Sequence, residues 1–390
     1  MSYSTYTPNS FQSPLFASRN EKDGIYDTLL QSFKDAGPTG LCNAEYKGDF
    51  HPHSTDSWSG NYTYVDNTSS ICTFNVLGEV LGEDHGTLLG AQGNHYPGAN
   101  NDNVLTDYRK AKPVIVLGTP SGNTTSMADI FFNQICTFLD IRASEQSGET
   151  GKIYVKEIVK SIKNDGVLDT IVLTGGLLYT RKIDDRDNEA PVGPTPTDAG
   201  APVLPKSQDV FVNARYNCRL MTGYGGNAYN QCYAGLVQPR WVDLDGDLIK
   251  PWEFHDKVRP GTLIVANISL QVFVIPQSNG PYKTKKIYNA VINLLRVMAE
   301  SDLPIALPCP FVLGQSRTSQ PSSVSAPTEQ SAAAAAFANI LPSPKSVKTR
   351  MAQSPGASTS SSSTSSSGDI TMSDSSSPIK QKKACTATKH

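Results

Sequence analysis

Residues 261–275 limit the fold more than any other stretch. Ile264, Ala266, Ile268, Leu270, Val272 and Val274 alternate with a second set that includes Asn267, Ser269 and Gln271. That period of two describes a long strand with one face buried and the middle of the other face wet. The turn residues of 276–281 end it, because Pro276 and Pro281 cannot donate to a ladder and Gly280 tolerates positive φ. A returning strand begins at Tyr282, with Lys283, Lys285 and Lys286 crowding its start. The branched apolar run 287–298 continues it, with a helix from about Asn289 as the alternative. Upstream, Asp245-Gly246 between short apolar runs predicts a tight hairpin turn.

The ends of the chain read differently. From Gly314 onward Ser, Ala, Pro and Thr dominate, and 358–367 contains only Ser and Thr. So little apolar surface cannot offset chain entropy, and 314–390 is expected to be a disordered tail. The remainder is expected to be α+β and β-rich, an antiparallel sheet or a small barrel of the OB type with a few packed helices. Its expected divisions are a flexible N-terminus (1–20), a mixed α/β body (21–183), a Pro- and Asp-rich loop or linker (184–207) and a β-rich, OB-like domain (208–313). Within the body, Ile25, Leu29, Leu30 and Phe33 predict a helix over 23–34. Strands are expected at 70–81, 113–118 and 170–182, and helices at 127–141 and 154–163. Gly78, Gly82, Gly86, Gly90 and Gly93 read as turns or bulges.

Charge and cysteine usage narrow the function classes. The formal charge is −2, and residues 314–390 hold eight Lys or Arg against three Asp or Glu. The tail is therefore +5 and residues 1–313 are −7, a balance that lacks the broad positive field of a protein gripping duplex phosphates. Seven scattered cysteines without Cys-x-x-Cys spacing read as reduced thiols of an intracellular protein. No basic-then-apolar leader opens the chain, and no apolar run nears the ~20 residues of a membrane span. Lys380, Lys382 and Lys383 form a short basic cluster that favours the nucleus slightly over the cytoplasm. Ser343, Ser354 and Ser377 each precede proline and are candidate phosphorylation sites.

Motifs for chemistry fail on detail. Residues 118–125 follow a strand and precede a helix, but no lysine is present to reach a phosphate. Counting from Asp243, the glycine comes fourth and the twelfth residue is Phe254, so this is a turn and no EF-hand. His51, His53 and Asp56 form the metal-ligand candidate, set against ordinary surface histidines in a loop. No nucleophile elbow or Cys–His context appears, which leaves no catalytic residue, no cofactor and a reading that leans away from an enzyme. A metal-dependent enzyme built on the histidine pair is the remaining enzymatic alternative. Tyr216, Tyr224, Tyr229 and Tyr233 read as packing residues more readily than as a contact surface.

Basic residues interleaved with aromatics are the most informative polar feature. They are Arg240, Trp241, Trp252, Arg259, Phe273, Tyr282, Lys283, Lys285, Lys286 and Tyr288, within a segment, 236–298, that holds eight basic and five acidic residues. Aromatic faces that stack bases beside cations that follow phosphates suit single-stranded DNA or RNA. Lysines on a β-edge also guard against aggregation. A self-associating, coat-like structural protein is the alternative, and no membrane partner is expected. Asp245-Gly246, the run 249–253, the run 259–264, Lys286-Ile287-Tyr288 and the run 294–297 together resemble a segment in families of uncharacterised proteins of mushroom-forming fungi. The resemblance covers 245–297, and it implies a fungal, intracellular protein without implying an activity.

Overall fold

The computed structural model describes residues 14–35, 40–41, 48, 50–55, 60–96, 103–122, 124–146, 153–162, 166–181, 204–277, 282 and 284–308. Two helices come first, α1 (Pro14–Ser18) and α2 (Ile25–Asp35), then β1 (His51–Ser54), β2 (Tyr62–Val65) and β3 (Thr73–Val80). Next are β4 (Leu105–Thr106), β5 (Val114–Gly118) and the long helix α3 (Thr125–Gln146). Four strands follow: β6 (Ile153–Lys156), β7 (Val159–Lys160), β8 (Thr170–Thr174) and β9 (Tyr179–Arg181). The last part holds β10 (Arg215–Asn217), β11 (Tyr229–Asn230), β12 (Ala234–Val237), β13 (Trp241–Val242), α4 (Phe254–Lys257), β14 (Leu263–Pro276) and β15 (Thr284–Ala299). All described residues belong to the first of the two units into which the chain divides after Pro344.

The main sheet closes on itself. β14 is antiparallel to β3, β3 to β5 and β5 to β8. β8 then runs parallel to β15, and β15 returns antiparallel to β14. Taken in chain order as strands one to five, the ring reads 1-2-3-5-4, the connectivity of a five-stranded Greek-key barrel of the OB type. β8 and β15 touch through only two residue pairs, Leu173 with Ala290 and Thr174 with Val291. Where they part, β6 runs parallel to β15 and β7 antiparallel to β8, so these two short strands line the gap.

Alternation along β14 explains the barrel. Ile264, Ala266, Ile268, Leu270 and Val272 join Ile115, Leu117, Ile171, Leu173, Ala290 and Ile292 in the main core. Each buried aliphatic side chain contributes about 1.5–3 kcal/mol. Leu263 and Val265 belong to the opposite face and pack with Leu77 and Leu294 beneath Tyr26, Leu29 and Phe33 of α2 and Met127 and Ile130 of α3. The start of β14, as far as Ala266, is thus covered on both sides. Beyond Val265 the outer side becomes polar, where Asn267 Nδ2 donates to Asn75 Oδ1 at 3.0 Å and Asn293 Nδ2 to Asn267 Oδ1 at 3.3 Å.

Buried polar contacts fix the helices. Arg19 is 2% exposed and pairs with Glu79 at 3.1 Å, while its second nitrogen donates to the Gly261 carbonyl at 2.8 Å. Glu79 also accepts from Ser121 N and Oγ at 2.8 and 2.7 Å. Fully buried Gln134 of α3 accepts from Leu77 N at 2.8 Å and donates to Leu77 O at 3.0 Å. Leu77 lies beyond Glu79 and Val80, the two residues of β3 that pair with β5, so the amide stands where a neighbouring strand would.

Several expectations need correction. Residues 153–160 form β6 and β7 where a helix was expected, because exposed Tyr154 and Lys156 alternate with half-buried Ile153 and Val155 beside β15. Gly78 lies within β3; a Cβ there would meet the Leu117 Cβ at 2.8 Å, so it serves close strand approach instead of a turn. His51 and His53 lie on a strand at the end of the sheet, an edge that tolerates Pro52. The OB-type ring was expected inside 208–313, yet β3, β5 and β8 come from before residue 183 and share one sheet with β14 and β15. The Asp-Gly turn does form: Asp243 N donates to Asp247 O at 2.9 Å, and Gly246 has φ of 91°.

Candidate nucleic-acid interface

The start of β15 sets the geometry of the interface. In register, Lys285 stands opposite Tyr154, Lys286 opposite Val155 and Ile287 opposite Lys156 on β6. On the other side, Ile275 pairs with Lys285 and Phe273 with Ile287. Alternation assigns Lys286 to the barrel side, with Tyr288 and Ala290, and Lys285 and Ile287 to the outside. Two rows therefore cross the outer surface over three strands, Ile275–Lys285–Tyr154 and Phe273–Ile287–Lys156.

Aromatic and cationic groups meet on the first row. The rings of Tyr154 and Tyr282, 45% and 40% exposed, stand edge to face with centroids 5.7 Å apart. Lys285 Nζ lies 5.3 Å from the centroid of the Tyr154 ring. Lys156 of β6 and Lys160 of β7 are exposed. Burial, and then repulsion from Lys156, holds the Lys160 ammonium below its usual range. Among the described residues no carboxylate pairs with Lys156, Lys160 or Lys285. An anion placed here would relieve repulsion without breaking an existing ion pair.

The other sequence-selected residues have different surroundings. Trp241 is 1% exposed, its ring 4.3 Å from that of Phe254, and Tyr288 is 8% exposed in the main core; neither offers a face for stacking. Trp252 is half-buried edge-on to Tyr216 at 5.1 Å. Lys286 is buried, with its ammonium 5.5 Å from the Tyr62 ring centroid and 3.4 Å from its hydroxyl. Arg259 donates to the Ser301 carbonyl and lies 3.6 Å from Asp256. Arg240 is exposed at the entry to β13, which meets β15 at Leu295 and Arg296, the end of that strand away from β6. Phe273 is half-buried on the outer rows. Lys283 lies outside the described residues, as do Asp56, Ser343, Ser354, Ser377, Lys380, Lys382 and Lys383.

His51 and His53 are exposed and share one face of β1. Among the described residues no three His, Cys, Asp or Glu side chains come together as a metal site. No helix of the described residues is long and apolar enough to cross a membrane. Of the four tyrosines, Tyr216 packs in the core and Tyr224 lies against Tyr229 with centroids 4.5 Å apart, whereas Tyr233 is 68% exposed. The sequence reading missed Tyr154, Lys156 and Lys160. The signal was there in the alternation of 153–156, which a helical reading of 154–163 concealed.

No protein-family model matches the chain, and no curated protein matches it. Among solved structures, the single-stranded DNA-binding protein from bacteriophage Enc34 aligns at 11% identity and a TM-score of 0.26, covering 69% of this chain and 96% of that protein. A C-terminal truncation of the same phage protein aligns at 10% identity and a TM-score of 0.26, covering 66% of this chain and 98% of its own.

Proposed function

We propose that the chain binds single-stranded nucleic acid on the outer surface of β15, β6 and β7. The carrying observation is the exposed Tyr154–Tyr282 pair with Lys285 over one ring, beside two lysines that no described carboxylate neutralises. Rings of this kind stack on any base, and the cations answer the phosphates, so the surface suits a single strand read without strong sequence preference. A duplex would hide its base faces from the tyrosines and meet a body of net negative charge. Closed barrels of this connectivity offer a strand surface and its flanking loops to oligonucleotides.

The test is fluorescence anisotropy of a labelled oligothymidylate with the full chain over a range of salt. Log affinity is expected to fall linearly with log salt, by about 0.7 per phosphate neutralised. The triple variant Lys156→Gln, Lys160→Gln, Lys285→Gln should lower that slope by about 2. An unchanged slope in the triple variant would remove the reading, as would binding to duplex and single strand alike.

A further inference from the structure

We infer that residues 108–112, together with Tyr233, form a second contact for the same strand, so that the bound nucleic acid runs across β8 from the Tyr154 cluster to the loop entering β5. This inference rests on the function proposed above. It begins with register. Val114 pairs with Thr174, and Lys160 pairs with Thr170 at the opposite end of β8. Residues 170, 172 and 174 alternate with core residues Ile171 and Leu173, so they share the outer face with Val114 and Lys160. Lys112, two residues before Val114, continues that face. Tyr154, Lys156, Lys160, Lys285 and Lys112 are therefore all on one side of the barrel, with half-buried Val172 and Thr174 between them. Six residues along β8, from the level of Lys160 to that of Lys112, and one strand spacing to each side put Lys160 and Lys112 on the order of 20 Å apart.

The second cluster repeats the chemistry of the first. Tyr108 is 72% and Tyr233 68% exposed, and Arg109 and Lys110 are exposed beside them. Among the described residues none of Arg109, Lys110 and Lys112 has a carboxylate partner. Asp107, next to Tyr108, is occupied: its carboxylate accepts from the backbone of Cys232 and Tyr233, each at 3.2 Å. That contact holds Tyr233 next to the Tyr108 loop, and the parallel pairing of β4 with β11 holds it further. The segment is also anchored to the body. Ala111 is fully buried and accepts from Leu178 N at 2.9 Å, and Lys112 exchanges hydrogen bonds with Asn94 at 2.8 and 2.9 Å. Burial and the neighbouring Lys110 hold the Lys112 ammonium below its usual range, as at Lys160. Two clusters of tyrosine and uncompensated cation on one face, joined by an apolar and hydroxyl floor, fit one polyanion with stacking bases.

Length dependence tests the inference on the full chain, because one such domain spans about 4–16 nucleotides. Labelled oligothymidylates of about six and about sixteen residues are titrated with the wild type and with the variant Tyr108→Ala, Arg109→Gln, Lys110→Gln. The variant is expected to bind the short strand within about twofold of wild type and the long strand roughly tenfold more weakly, a loss of the size set by one stacking contact. Long-strand affinity equal to wild type would overturn the second contact while leaving the Tyr154 surface intact. Failure of the wild type to bind either strand would instead overturn the proposed function. Ultraviolet crosslinking of a bromouracil-substituted long strand to the wild type gives a reading independent of any variant. Adducts at Tyr108 or Tyr233 are expected, and adducts confined to Tyr154 and Tyr282 would refute the path.

Discussion

Replacing Gln134 should loosen the barrel that carries the proposed interface. The Gln134 amide satisfies both the N–H and the C=O of Leu77, and it is fully buried. In Gln134→Met the volume is nearly kept, so packing contributes less than about 1.5 kcal/mol. Two buried backbone groups lose their partners, at about 1–3 kcal/mol each, giving a loss of about 2–6 kcal/mol. Against a total stability on the order of 5–15 kcal/mol, that is a large fraction. Urea unfolding followed by the fluorescence of buried Trp241 would measure it as a lower midpoint at unchanged slope. Gln134→Glu sharpens the test. A carboxylate still accepts from Leu77 N but cannot donate to Leu77 O until it is protonated, so the folded pKa of this glutamate should lie above its unfolded value of about 4.3. The stability from its protonated form is fully present below that unfolded value and is lost as pH rises through the folded one. A Gln134→Met loss under about 1 kcal/mol, or a Gln134→Glu variant without this pH dependence, would show that α3 does not complete the edge of β3.

Two further outcomes follow from buried charge. Glu79→Gln should cost about 3–5 kcal/mol in urea unfolding, because Arg19 keeps its charge in a site 2% exposed; replacing Arg19 and Glu79 together by apolar residues should cost less than the single change, and the reverse order would refute the pairing argument. Burial pushes the His255 imidazole down from its usual value of about 6.5. The unfolded chain therefore takes up a proton first, so the contribution of His255 to stability is present above about pH 6.5 and is lost as pH falls towards the folded value. His255→Gln should flatten the fall in the urea midpoint between neutral and mildly acid pH, and an equal fall in both proteins would remove this assignment.

What the sequence revealed and what it concealed divide along the range of the interactions. The two faces of β14 were readable because a period of two is written in adjacent residues, and the Asp243–Asp247 turn because its hydrogen bonds close within five residues. Which strands close the ring was not readable, since β3 finds β14 across most of the folded chain and no local pattern records the partner. The helical reading of 154–163 failed for the same reason: β6 is a strand because β15 offers it an edge.

Charge makes the sharper case. Residue type alone cannot separate Arg259, Lys250 and Lys257 from Lys285, for all are cations in one segment of aromatic neighbours. Folding separates them, because Arg259 meets Asp256, Lys250 meets Glu253 and Lys257 meets Asp243, whereas Lys285 meets the ring of Tyr154. A cation already held by a carboxylate gains little from a phosphate, since the new contact must replace the old one. A cation lying over a tyrosine can take a phosphate and leave the ring beside it for a base. On the proposed function, an anionic partner would be selected by which positive charges the fold leaves uncompensated, and those at Lys156, Lys160 and Lys285 come onto one sheet only once β6 pairs with β15 and β7 with β8.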